Sequence, residues 1–293
     1  MNDLLTINFF KNNSDHKRID FQEVLAFFEE IPNFQIFYTE DVVEIEYSDK
    51  EFGLKYSYLI TKKSRVDQIY KLNPSFSNIN FLLQFPIMIP SFLAKEIFAL
   101  AQKLCKKFEL GVYNKLFEDV SPFNLVNLVA FYEDQKKKCI EENGLVGRIA
   151  YEGSKLSDIC AFQRQVEKLV EYYHNEVIVD LVYAIRQVDA EEGEEPIQGT
   201  CYSWQVGTPT LFPPHVDFIN VKSDEEDFFV RKDLLVKVMD RKLIGITDFI
   251  SDDMYILKAK QAKGSKKFVK KLLKNEIDAK FDKLPLLDCI EDR

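Results

Sequence analysis

Cys201, His215 and Asp217 fall close together in the stretch "CYSWQVGTPTLFPPHVDF", and their side chains are the types that nucleophilic catalysis uses. A thiol attacks as thiolate, so it needs an imidazole to take its proton and a third group to hold the ring. On an extended backbone His215 and Asp217 lie on one side, about 7 Å apart. A carboxylate there orients the imidazole and raises its basicity. Cys201 as nucleophile, His215 as base and Asp217 as orienter therefore define a candidate Cys/His-dependent hydrolase site.

Two features count against that chemistry. Cysteine nucleophiles gain from a helix N-terminus, which lowers the thiol pKa, whereas Cys201 reads as mid-strand. No sequence suggests an oxyanion hole. Zinc on Cys201, His215 and Asp217 lacks an identifiable fourth ligand or open position, so no metal and no cofactor is expected. The plainer reading is a shaped connection. Pro209, Pro213 and Pro214 restrict its φ angles, Trp204 and Phe212 anchor it, and His215 with Asp217 forms a local polar pair available for binding. Strand alternation puts Thr200, Tyr202, Trp204 and Val206 on one face and Cys201, Ser203 and Gln205 on the other.

A second constellation is electrostatic. Eight lysines and no acid lie between Lys258 and Lys274. The net charge is −9, so removing their +8 leaves about −17 on the remainder. The segment "KKFVKKLLKNEI" reads as a basic amphipathic helix, with Phe268, Val269, Leu272, Leu273 and Ile277 opposite Lys266, Lys267, Lys270, Lys271 and Lys274. Such a helix suits an acidic partner, an anionic surface or nucleic acid. With one aromatic and no arginine it lacks the usual means of base stacking and bidentate phosphate contact.

Other motifs fail on spacing. "GRIAYEGSK" has five residues between its glycines and reverses the Lys-Ser order of a phosphate loop. The acidic runs "DAEEGEE" and "SDEED" lack the ligand alternation of a calcium loop. Five widely spaced cysteines without a CxxC pair do not read as a disulfide framework or a structural zinc site. No leader-like start and no long apolar run is evident, so a cytoplasmic protein is expected.

The elements that position these residues read as α+β. Apolar residues make up 46% and charged residues 30%, the balance of a chain with a packed core. Asp20 caps a first helix ending near Pro32. "FQIFY", "VVEIEYS" and "FGLKYSYLITKK" read as strands, the last two as a hairpin, and "NINFLLQF" as another. "SFLAKEIFALAQKLCKKFEL" carries Leu93, Ile97, Leu100, Leu104 and Phe108 at helical spacing, with Gly111 closing it. Ser121–Pro122 reads as the start of a further helix. The glycine-bearing "ENGLVGRIAYEGS" suggests a boundary between domains 1–145 and 146–293. Beyond it come an amphipathic helix along Leu156, Ile159 and Gln163, a long strand "VIVDLVYAIRQV", a returning strand "IQGTCYSWQV", the strand "VDFINV" and the helix "KDLLVKVM".

The expected architecture is thus two α+β domains, each an antiparallel or mixed sheet packed on amphipathic helices. The expected function is a non-catalytic interaction module whose partner is another protein. A hydrolase at Cys201, His215 and Asp217, and nucleic-acid or anionic-surface binding through the lysines, are the alternatives.

Overall fold

The computed structural model describes residues 4–14, 17–145, 147–174, 176–247 and 249–291. The fold is mixed α+β, and its contacts gather into two compact units. One runs to Ile89 and resumes over Leu93–Gly144; the other holds Pro90–Phe92 and the chain from Leu145 on. Among the described residues no helix is long and apolar enough to cross a membrane.

The first unit contains β1 (Leu4–Asn12), α1 (Phe21–Glu29), β2 (Phe34–Tyr38), β3 (Val42–Ser48), β4 (Lys55–Thr61), β5 (Phe76–Pro86), α2 (Ser91–Phe108), β6 (Leu110–Tyr113), β7 (Ser121–Pro122) and α3 (Leu125–Asn143). Its strands form one antiparallel sheet in the order β2-β3-β4-β5-β1-β6-β7. Asp20 caps α1 as expected, its side chain accepting from the Gln22 N–H. Period-two alternation places Ile7, Phe9, Ile45, Tyr58, Phe81, Leu83 and Phe85 in the core. Strand β1, which lies between β5 and β6, has no counterpart among the expected elements.

Two expected helix boundaries move. Asn124, not Ser121, caps α3, accepting from the Asn127 N–H; Ser121–Pro122 instead pairs with β6 as an edge strand, a place that tolerates proline. Gly111 does not close α2. The left-handed residue after that helix is Glu109, at φ +53°, while Gly111 lies in β6. A Cβ there would sit 2.5 Å from the Phe76 ring and would have to displace it.

The second unit contains β8 (Ile149–Tyr151), α4 (Gly153–Tyr172), β9 (Tyr183–Gln187), β10 (Gln198–Gln205), β11 (Thr210–Phe212), β12 (Phe218–Lys222), β13 (Asp227–Arg231), α5 (Lys232–Met239), β14 (Ile244–Ile246), β15 (Met254–Leu257), α6 (Ala259–Ala262), α7 (Val269–Leu273), β16 (Phe281–Leu284) and β17 (Cys289–Glu291). A five-stranded sheet runs β13-β12-β10-β9-β16, with β10 and β12 parallel and the other pairs antiparallel. A parallel pair needs a crossover of about a dozen residues. The proline-rich segment after β10 is that crossover, and midway through it β11 pairs with β15 in a separate small sheet.

The expected long strand shrinks to β9. Before it, the Ile178 N–H bonds the Pro209 carbonyl and the Val182 N–H bonds the Gln163 side chain, so this backbone is satisfied outside any ladder. The basic helix expected over 266–277 shortens to a 3-10 turn over Ser265–Phe268 and α7, and a break separates it from α6. Gly264 and the buried Ser265, whose hydroxyl donates to the Ala262 carbonyl, mark the break.

Candidate functional site

Cys201 is fully buried on β10. Its thiol packs with Tyr183, Ile185 and Phe218 and lies 3.5 Å from the Tyr183 hydroxyl. Burial pushes the thiol up to about 12, against lesser opposing effects led by the Tyr183 contact. A nucleophile needs a depressed pKa and access, and Cys201 has neither. The alternation argument holds here: Thr200, Tyr202 and Trp204 turn to one buried face, and Trp204 stacks edgewise on Phe212 and donates to the Thr208 carbonyl.

The His215 ring meets neither Cys201 nor Asp217 among its hydrogen-bond partners. Its Nε2 lies 3.1 Å from Asp158 Oδ2 and 3.0 Å from Ser251 Oγ, and its Nδ1 lies 3.7 Å from Asp253 Oδ2. That Asp253 oxygen already accepts from the His215 backbone N–H and from Lys232 Nζ. Lys232 is itself buried and donates further to the Pro213 and Asp253 carbonyls, so its three protons are all engaged. Burial lowers its pKa, with Asp253 acting in the opposite direction. The groove of about 450 Å³ beside it, lined also by Asp217, Arg231 and Tyr255, gains no free donor from Lys232.

Asp217 turns to different partners. Its Oδ2 takes the Thr200 N–H at 2.9 Å, and the Thr200 and Tyr151 hydroxyls lie 3.2 and 2.9 Å away. Tyr151 also reaches the His215 carbonyl. Burial first, and the Asp217 charge second, raise the Tyr151 pKa well above its ordinary value. The carboxylate can come this close because residue 199 is glycine: a Cβ there would meet Asp217 Oδ2 at 2.5 Å. The expected His215–Asp217 pair is therefore replaced by two separate nodes. Both tie the proline-rich crossover to its neighbours.

The partners that sequence reasoning missed, Asp158, Ser251 and Asp253, lie 57, 36 and 38 positions from His215. Nothing in their own neighbourhoods marks them. Among the described residues no group of three or more His, Cys, Asp or Glu side chains is placed to hold a metal ion. The lysines from Lys258 to Lys274 are all exposed, and Lys266 pairs with Asp224 at 2.7 Å. Of the expected apolar face Leu272 is buried, while Phe268, Val269, Leu273 and Ile277 are half-buried.

A different site emerges at the free edge of the seven-stranded sheet. Among the described residues strand β2 pairs only with β3. Phe34↔Tyr47, Ile36↔Ile45 and Tyr38↔Val43 stand opposite one another. The Thr39 N–H bonds the Val42 carbonyl and the Ser48 N–H bonds the Asn33 carbonyl, which sets the phase of the ladder. Odd-numbered residues of β2 therefore bond inward, and Phe34, Ile36 and Tyr38 turn N–H and C=O to the open side. Phe34 locks the strand by packing its ring 4.9 Å from Phe28 and 5.1 Å from Tyr47. Phe37 and Tyr38 stay 45% and 67% exposed.

Natural edges are blunted by charge, proline, bulges or covering chain. The other edges of the two larger sheets follow that rule. β7 is two residues long and contains Pro122; β16 carries exposed Asp282 and Lys283; and the Phe229 carbonyl of β13 accepts the Ile277 N–H. Strand β2, "FQIFY", has no charge, no proline and no glycine.

Compared with known protein families, with curated proteins and with solved structures, the chain matches none.

Proposed function

We propose that this protein is a non-catalytic, cytoplasmic protein-interaction module that captures an extended segment of a partner by strand addition at β2. One observation carries the reading: an anchored edge strand with outward backbone groups at Phe34, Ile36 and Tyr38 and no charge, proline or glycine within the strand itself. In strand addition the main-chain bonds supply affinity, and pockets for alternate side chains supply selectivity. The buried, high-pKa thiol of Cys201 weighs against the hydrolase reading.

The test is selection of random peptides on the full chain, with counterselection on Ile36→Pro. The Ile36 N–H faces away from β3, so proline removes a donor from the open edge without breaking the existing ladder. Enrichment of peptides with apolar residues at every second position, lost on Ile36→Pro, supports strand addition. Enrichment indifferent to that substitution sinks it.

The exposed lysines from Lys258 to Lys274 favour a second reading, attraction to an anionic surface. That reading requires binding to heparin or nucleic acid that weakens steeply with salt. It also requires binding to fall when Lys266, Lys267, Lys270 and Lys271 become glutamine.

A further inference from the structure

The charge around β2 says what kind of strand the edge takes. Between Glu29 and Glu51 the chain carries eight carboxylates and a single lysine, Lys50. Lys55 and Lys62 approach Glu46 and Asp41 at 3.5 and 3.4 Å, which leaves the neighbourhood of the strand negative. Two carboxylates are placed by register. Glu44 stands opposite Phe37 and Glu46 opposite Gln35, all four on the same face of the sheet. The other face presents Phe34, Ile36 and Tyr38 beside Ile45 and Val43.

An incoming strand would lie about 4.8 Å beyond β2. Its residues opposite Ile36 and Tyr38 would share the apolar face. Those opposite Gln35 and Phe37 would share the face of Glu44 and Glu46. A lysine or arginine there can lay its stem across the exposed Phe37 ring, where a cation is attracted to the π-face, and extend its charge toward Glu44. A second copy of this chain is disfavoured as occupant. Pairing β2 with β2 brings two acidic neighbourhoods together, and like charges across a ladder repel.

We infer that the occupant of the β2 edge is an extended segment alternating basic and apolar residues, its Lys or Arg side chains over Phe37 toward Glu44 and Glu46. The inference rests on the strand-addition reading and narrows it to one partner chemistry.

The experiment measures fluorescence anisotropy of three capped eight-residue peptides with the full chain at low salt. One alternates lysine with valine, one serine with valine and one glutamate with valine. The lysine peptide is expected to bind about tenfold tighter than the serine peptide, corresponding to roughly 1.4 kcal/mol. The glutamate peptide is expected not to bind. Ile36→Pro should abolish binding, while Glu44→Gln with Glu46→Gln should bring the lysine peptide to the level of the serine peptide.

Equal binding of the lysine and serine peptides would overturn the basic chemistry and leave strand addition standing. Lysine-peptide binding that survives Ile36→Pro would belong to the general acidic surface and overturn the site. Binding by none of the peptides would overturn both. Sedimentation showing a dimer that Ile36→Pro dissociates would replace the foreign strand with a second copy.

Discussion

The crossover from Cys201 to Phe218 and the edge strand Phe34–Tyr38 invert what their compositions suggest. The crossover is dense in reactive residue types, yet its polar groups are spent on one another and on the framework. Asp217 is held by Thr200 and Tyr151, His215 by Asp158 and Ser251, and Lys232 by Pro213 and Asp253. The edge strand contains no thiol, imidazole or carboxylate, yet among the described residues nothing in the sheet consumes its outward backbone donors and acceptors. Reactive residue types are thus a poor guide to availability. What counts is whether a group's bonding capacity is already met.

The comparison predicts opposite consequences for substitution in the two regions. Trp204→Ala removes a buried indole packed on Phe212 and should cost about 4 kcal/mol in urea unfolding, with peptide binding at β2 unchanged. A loss below about 1 kcal/mol would mean that the crossover is not a framework element. Asp217→Ala leaves the Thr200 N–H without its acceptor and the Tyr151 hydroxyl with only the His215 carbonyl, and should cost about 2 kcal/mol.

The thiol of Cys201 gives a pH-dependent version of the same contrast. Its folded pKa, about 12, lies above its ordinary value of 9.0, so the folded state holds the proton more tightly. This contribution is complete below about pH 9 and is lost as pH rises from there toward 12. Stability should therefore decline above pH 9, with the buried Cys105 and Cys289 thiols acting in the same direction, and Cys201→Ala should remove only its own share of that decline. Rapid alkylation of Cys201 in the native protein at neutral pH would reverse the assignment and revive the hydrolase reading. The smallest stability effect belongs to Ile36→Pro, within about 1 kcal/mol of wild type because the substituted N–H is outside the ladder. Loss of folding by that variant would show that β2 supports the sheet through more than its inward bonds.

Local rules made much of the fold legible. The Asp20 cap, the apolar spacing of α2 and α4, and the β3–β4 hairpin are each written within a short window, and each forms as expected. Competing local signals make other boundaries ambiguous in sequence. Asn124 is as good a cap as Ser121, and Gly111 is glycine for the nearness of Phe76 rather than for a helix end. The candidate site was less legible because it depends on pairing order. "FQIFY" reads as a strand from its residues alone; that no described strand pairs beyond it follows only from the placement of all seven strands. In the same way, no window around His215 contains Asp158 or Ser251.

Amide hydrogen exchange resolved by residue tests the central claim most directly. In the free chain the Ile36 and Tyr38 amides should exchange rapidly, while Gln35 and Phe37, bonded to β3, should be protected. Adding the alternating lysine–valine peptide should slow Ile36 and Tyr38 and leave Gln35 and Phe37 as they were. Protection of Ile36 and Tyr38 already in the free chain, or no change on adding peptide, would contradict an edge open to a partner strand.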